Sequence, residues 1–423
     1  MLGLSIANKL LHLFFNQSSF RRDYGRTFFK SKACTNPCSL NIQQHFKIYR
    51  MTIKPFKLER FYTVHEFTAK YPLCSSDCEA MTIGELLALE NGAIEKFHNH
   101  WLGYTETKGN PELRDEISKI YSNISPEDLL VCSGAQEPIF LFSQAVLTAA
   151  DEVVVQFPCY QSVHSIPESL GCKVLNWTVK YQNGVPTFDI DDLKKLITPK
   201  TKVLYLNTPH NPTGFHFTKD EQQAVVELAT QKNIIIFCDE VYRELEHKRE
   251  YLIPAFADVY ENGVSVGVMS KSYGLAGLRI GWVATKNKAI LENIAILKEY
   301  TTISNAAPSE FLAIVALRNR KTILERNRKI VETNLPLLDN FIKKYANLFS
   351  WHKPIAGPIG FVKMNWEEDD LAFAERVVKQ KNVLLLPGEI YDYRGYFRVG
   401  FIRKSMPEAL SMFEEFVVEN LIK

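Results

Sequence analysis

The stretch Ser270-Lys271-Ser272-Tyr273-Gly274-Leu275-Ala276-Gly277-Leu278-Arg279-Ile280-Gly281-Trp282 decides how this chain reads. It follows a β-branched, apolar run at 264–269 that predicts a buried strand, and it opens a turn punctuated by glycines. Lys271 therefore stands at a buried strand end. Desolvation disfavours an ammonium there, so Lys271 is a candidate Schiff-base amine with a lowered pKa. Eight residues on, Arg279 lies between Gly277 and Gly281, where backbone can approach an anion. On these features alone a loop lysine beside a solvated arginine stays open.

The rest of the chain bounds the choices. Its 423 residues, 46% of them hydrophobic, suffice for a large α/β domain plus a smaller one. A formal net charge of +2 carries no polyanion signature, so nucleic acid is not an expected partner. Eight scattered cysteines read as free thiols in a reducing compartment. The C-x-x-x-C pairs Cys34/Cys38 and Cys74/Cys78 lack zinc spacing, and no metal site is expected. Residues 1–50 differ in kind: eight basic residues against the single acid Asp23 suit an organelle transit peptide, whereas a start at Met51 would leave a cytosolic product. Localisation is thus cytoplasmic or mitochondrial. No run is long and apolar enough to span a bilayer, so no membrane partner is expected.

From 51 to about 89 the text is a mixed arm ending in a helix at 83–89. The turn-rich loop 102–111 then feeds a helix at 112–121 behind Pro111. After a strand at 129–131, Ser133-Gly134-Ala135-Gln136 opens a helix, and its backbone N–H groups make either a phosphate cradle or an ordinary N-cap. Strand-like runs at 152–157, 173–179, 202–206 and 234–238 alternate with helix-like runs at 189–197 and 218–232, which predicts a mostly parallel sheet flanked by helices. Sites in such sheets lie beyond the carboxyl ends of the strands. Tyr160, Asn207 to Gly214 and Asp239 to Tyr242 fall there. Two helices at 289–300 and 309–317 precede a long one from Lys321, which Pro336 should kink or end. A smaller α+β unit closes the chain with a helix at 407–422. Arg398 lies inside a strand-like run, where an unpaired guanidinium is costly, so a bidentate hold on a carboxylate is the functional reading. Arg394 and Arg403 read as solvent-facing.

Ser-Lys-Ser-Tyr-Gly-Leu-Ala-Gly-Leu-Arg-Ile-Gly resembles the lysine motif of class I aminotransferases, pyridoxal-phosphate (PLP) enzymes of fold type I, and the resemblance extends over roughly residues 72–401. Beyond the basic leader at 1–50, it implies an arm and part of the small domain at 51–100, a large PLP-binding domain with a seven-stranded type of sheet at 101–320, and a small domain at 321–423. It implies an aminotransferase with an L-amino acid and a 2-oxo acid as substrates. By the resemblance Lys271 carries the cofactor, Asp239 faces its ring nitrogen, and Tyr242 and Asn211 flank its phenolic oxygen. Tyr160 stacks on the ring, and Ser133, Gly134, Ala135, Gln136, Ser270 and Arg279 form the phosphate cup. Arg398, with Asn211, holds the substrate carboxylate. Tyr104 would reach the phosphate of a neighbouring subunit, which implies a homodimer with shared active sites. One departure is Val268, where the family commonly has a phosphate-binding Ser or Thr. The segment Pro72 to Glu79 is similar to a branch that includes capreomycidine synthase and pyridoxal-dependent arginine oxidases, where Asp77 and Glu79 would meet a cationic side chain. The same residues serve a lyase, cyclase or oxidase as readily, and a non-catalytic PLP-binding module is the rival of another class.

Overall fold

The computed structural model describes residues 53–422, and the basic leader expected at 1–50 lies outside them. The described residues fall within one compact unit. The strands are β1 (Leu129–Cys132), β2 (Glu152–Phe157), β3 (Lys173–Thr178), the pair β4 (Lys180–Gln182) and β5 (Val185–Thr187), β6 (Thr201–Asn207), β7 (Ile235–Asp239), β8 (Gly263–Val268) and β9 (Gly281–Ala284). Then come β10 (Phe349–Ser350), β11 (Ile359–Met364), β12 (Leu386–Pro387) and β13 (Tyr396–Gly400).

Seven of these make one sheet in the order β1-β9-β8-β7-β6-β2-β3. Its five central and edge strands from β8 to β3 run parallel, while β9 runs antiparallel to both β8 and β1. Side chains alternate across a strand, so each strand feeds two cores. Val153, Val155, Val203 and Tyr205 pack with helices Gln136–Val146 and Lys288–Lys298. Val154, Leu204, Leu206 and Ile236 pack on the other face, with helix Lys219–Lys232. That helix opens on the capping box of Thr218 and Glu221, as its sequence predicts.

The smaller lobe is built on an antiparallel sheet, β10-β11-β13-β12. Its core joins Val331, Leu338, Phe341, Phe397 and Phe413 to Tyr71 and Leu73 from the other end of the chain. The helix that Pro336 was expected to kink or end does not end there but continues through it as Arg320–Lys344. Leu335, Leu338, Phe341 and Ile342 lie in that core beyond the proline, and their burial outweighs the missing N–H. The arm also holds a helix that was not expected, Lys57–His65, whose Leu58 and Phe61 sit against Phe361 and Leu386.

The arm and the last strand are stitched closely. The Gly400 N–H donates to the Leu73 carbonyl at 2.7 Å, and a Cβ on Gly400 would stand 1.9 Å from the Ser75 carbonyl oxygen. Backbone cannot yield as a side chain can. We expect Gly400→Ala to lower unfolding free energy by about 1–3 kcal/mol, the usual cost of overpacking, in a urea titration.

Candidate active site

The carboxyl ends of β6, β7 and β8 deliver Asn207, Asp239 and, just beyond Val268, Ser270 and Lys271 to one cavity of about 410 Å³. Asn207 and Asp239 are register partners in adjacent parallel strands. Ala135, Gln136, Tyr160, Asn211, Tyr242, Val268, Arg279 and Arg398 also line this cavity. The sheet puts the residues there because its strand order reverses beside β2, and the crevice opens outside the strand ends.

Lys271, Asp239 and Arg279 each lack something. Burial lowers the pKa of Lys271, partly offset by Asp77. Its Nζ donates to the Ser76 hydroxyl at 3.1 Å. Burial pushes Asp239 up to about 6, and its carboxylate accepts only the Val241 N–H among the hydrogen bonds described. Arg279 donates to the Ala276 carbonyl and, at 3.4 Å, to Ser270, and has no carboxylate partner among the described residues. A Cβ on Gly134 would stand 2.3 Å from the Arg279 Nη2, so glycine here lets the guanidinium lie on the backbone. An amine of lowered pKa, a buried acid short of partners and a cation without a counter-ion are what an aldehyde, a protonated ring nitrogen and a phosphate would complete. The donor set fits pyridoxal phosphate.

Arg398 is only 1% exposed. Its Nη1 donates to Asn211 at 3.1 Å and to the Tyr391 hydroxyl at 2.7 Å, and its Nη2 to the Tyr62 hydroxyl at 2.7 Å and the Cys74 carbonyl at 2.8 Å. All four acceptors are neutral, and Nε has no acceptor. Asn211 is itself aimed by the Asn207 side chain, which accepts its N–H at 2.6 Å. Burial raises the Tyr242 pKa to about 12, which keeps the phenol a hydrogen-bond donor.

Other expected residues lie off this cavity or have partners of their own. Ser133 and Gly134 are not among the lining residues: the helix starts at Gln136, and the Glu137 carboxylate takes the Ser133 N–H at 2.6 Å. Tyr104 is 84% exposed and lies away from the cavity of its own chain. Arg403 does not simply face solvent but pairs with Asp77. Glu79 lies outside the lining and caps the Lys404 N–H at 2.9 Å. Unanticipated are Glu59, Tyr62 and Glu66, brought in by the helix Lys57–His65 and the turn after it, and Ser76. The i, i+3, i+4 spacing of Leu58, Phe61 and Tyr62 is the one signal in the sequence that could have found that helix.

The neutral cage around Arg398 makes a specific expectation. Arg398→Gln should raise KM for an amino donor about 100-fold or more, the scale on which a buried charge pair is lost. Tyr62→Phe should raise it by about tenfold or less, as one hydrogen bond to a charged group is lost. Steady-state kinetics on an amino acid and on its decarboxylated amine checks both, since the amine should be indifferent.

The family described as aminotransferase class I and II matches residues 70–411. Capreomycidine synthase of Streptomyces vinaceus is 25% identical over 81% of this chain and 88% of its own. An arginine–pyruvate transaminase of Pseudomonas aeruginosa is 27% identical over 72% of this chain and 79% of its own. The crystal structure of a PLP-dependent aminotransferase from Streptococcus suis superposes with a TM-score of 0.82 at 31% identity, covering 87% of this chain and 98% of that one. With the seven-stranded sheet, the smaller antiparallel lobe and a donor set that fits the cofactor, the chain belongs to the class I and II aminotransferases, PLP-dependent transaminases of fold type I.

Proposed function

We propose that this aminotransferase takes its amino group from an L-amino acid with a cationic side chain, passes it to a 2-oxo acid, and works as a homodimer with shared active sites. One observation carries the substrate class. Glu59, Glu66 and Asp77 line the same cavity as Lys271 and Arg398, and Arg403 pairs with only one of the three. Burial, then Asp77 and Glu59, raise the pKa of Glu66, the behaviour of crowded carboxylates that a cation would relieve. The relative named for arginine is consistent with this choice, and capreomycidine synthase gives weight to a second reading in which the same cavity cyclises or eliminates.

When bound, pyridoxal phosphate supplies an electron-withdrawing ring that accepts the electron pair of a bond broken at the substrate α-carbon. The chain's own residues do the rest. Lys271 would anchor the cofactor, and its amine would move the α-proton on Nζ. Asp239 would hold the cofactor's ring by its nitrogen, Tyr242 and Asn211 would offer it hydrogen bonds, and Tyr160 would cover it. Arg279, Ser270 and the start of helix Gln136–Val146, with Ala135 and Gln136, hold the phosphate. Arg398, with Asn211, orients the α-carboxylate, which brings the α-hydrogen toward Lys271.

The dimer rests on a separate surface. Trp101, Leu102, Tyr104, Tyr300 and Ile303 are large apolar or aromatic side chains left exposed, and the Thr105 hydroxyl ties their two segments by donating to the Asn305 carbonyl. Tyr104 belongs to that patch.

Purified enzyme given a panel of amino acids and a 2-oxo acid should form keto acid fastest from those with guanidino or amino side chains. The double change Glu66→Gln with Asp77→Asn should erase that preference by about tenfold or more. Equal rates across the panel would sink the substrate class, and ammonia or peroxide in place of the keto acid would favour the second reading. For the dimer, mixing inactive Lys271→Ala with weakened Tyr104→Ala should recover activity beyond their sum, whereas no recovery in confirmed mixed dimers would refute shared sites.

A further inference from the structure

We propose that Ser76 is a further catalytic residue, whose hydroxyl receives the Lys271 amine when it leaves the cofactor and holds it on line with the substrate α-hydrogen. The inference rests on the reading of Lys271 as the reacting amine. Ser76 is 8% exposed and lines the cavity. Its oxygen accepts from Lys271 Nζ at 3.1 Å, and Tyr242 lines the same cavity. A hydroxyl that accepts from the amine still keeps its own proton to donate. A lysine on a four-carbon stem is otherwise free to sample many rotamers.

The hydroxyl is itself well held. The Cys78 N–H donates to the Lys271 carbonyl at 3.3 Å, and a Cβ on Gly274 would stand 2.6 Å from the Glu79 carbonyl oxygen, so the two backbones lie in contact. Arg326 clamps the same segment by donating to the carbonyls of Glu79 at 2.7 Å and Ala80 at 2.9 Å. Behind the turn, Asn327 donates to the Ser272 carbonyl at 2.9 Å. Ser76 and Lys271 thus ride on one rigid piece.

In the transfer step the neutral Lys271 amine forms an N–H bond with the α-proton, and the electron pair of the broken C–H bond passes to the bound cofactor. The resulting ammonium needs an acceptor in a site where burial and Arg398 oppose it and Asp77, Asp239 and Glu59 favour it. Ser76 is the neutral acceptor in hydrogen-bonding contact, able to receive the ammonium without locking it as a carboxylate ion pair would.

The test uses the full chain. Borohydride reduction of the holoenzyme followed by peptide mapping should place the cofactor on Lys271; label elsewhere overturns both this inference and the reading beneath it. With label on Lys271, Ser76→Ala should keep cofactor affinity and the KM for the amino donor. It should slow the single-turnover change in cofactor absorbance roughly tenfold, the scale of one hydrogen bond to a charged group. The isotope effect with α-deuterated donor should rise. In the chain stripped of cofactor, the pH profile of Lys271 acylation by acetic anhydride should move to lower pH, because the ammonium has lost an acceptor. An unchanged isotope effect with an unchanged acylation profile, or a loss confined to KM or cofactor affinity, overturns the role of Ser76.

Discussion

A guanidinium buried without an anion is the constraint on which this structure turns. Arg398 is enclosed by Asn211, Tyr391, Tyr62 and the Cys74 carbonyl, all neutral, and so keeps a full positive charge, almost wholly buried, at the wall of the cavity. An unpaired charge in such a setting costs several kcal/mol, of order the net stability of many domains. A carboxylate from within the protein would have relieved that cost and blocked the site. Neutral oxygens instead leave the charge to be met by a ligand.

The cage draws on distant parts of the chain. Asn211 comes from the loop after β6, Tyr391 from the turn after β12, and Tyr62 and Cys74 from the arm. Arm and large sheet then meet again at Lys271, through Ser76. The Lys271 and Asp239 side of the cavity is therefore an affair of parallel strand ends, and the Arg398 side an affair of the arm and the small sheet. The first is set by strand register, which a slip of one residue would destroy; the second depends on two lobes closing on each other.

That division explains what could be read from sequence. Lys271, Asp239, Asn211 and Arg279 are legible because each sits at a fixed offset from a buried strand whose apolar run is plain, and because the alternation of strands and helices already implies the sheet. Arg398 is legible as a charge inside an apolar strand. Glu59, Tyr62 and Glu66 are not, since a nine-residue helix offers only the short spacing of Leu58, Phe61 and Tyr62, and the Arg398 that Tyr62 meets lies 336 residues away. Ser133 reads two ways because Ser-Gly suits a helix start as well as an anion cradle; in the fold Glu137 takes its N–H and the helix begins at Gln136. Pro336 does not end its helix because local propensity yields to the burial of the leucines around it.

The hydrogen bond from Gly400 to Leu73 also orders events in time. Tyr71 and Leu73 belong to a core whose other members come mostly after residue 330, so during synthesis the arm leaves the ribosome long before its partner strand exists. At about 5–20 residues per second the wait is on the order of 15–65 s. For that interval Leu58, Phe61, Tyr71 and Leu73 lack most of the surface that covers them, while the central sheet can already assemble. The nascent chain thus carries an apolar thread whose cover is made mostly by residues beyond 330.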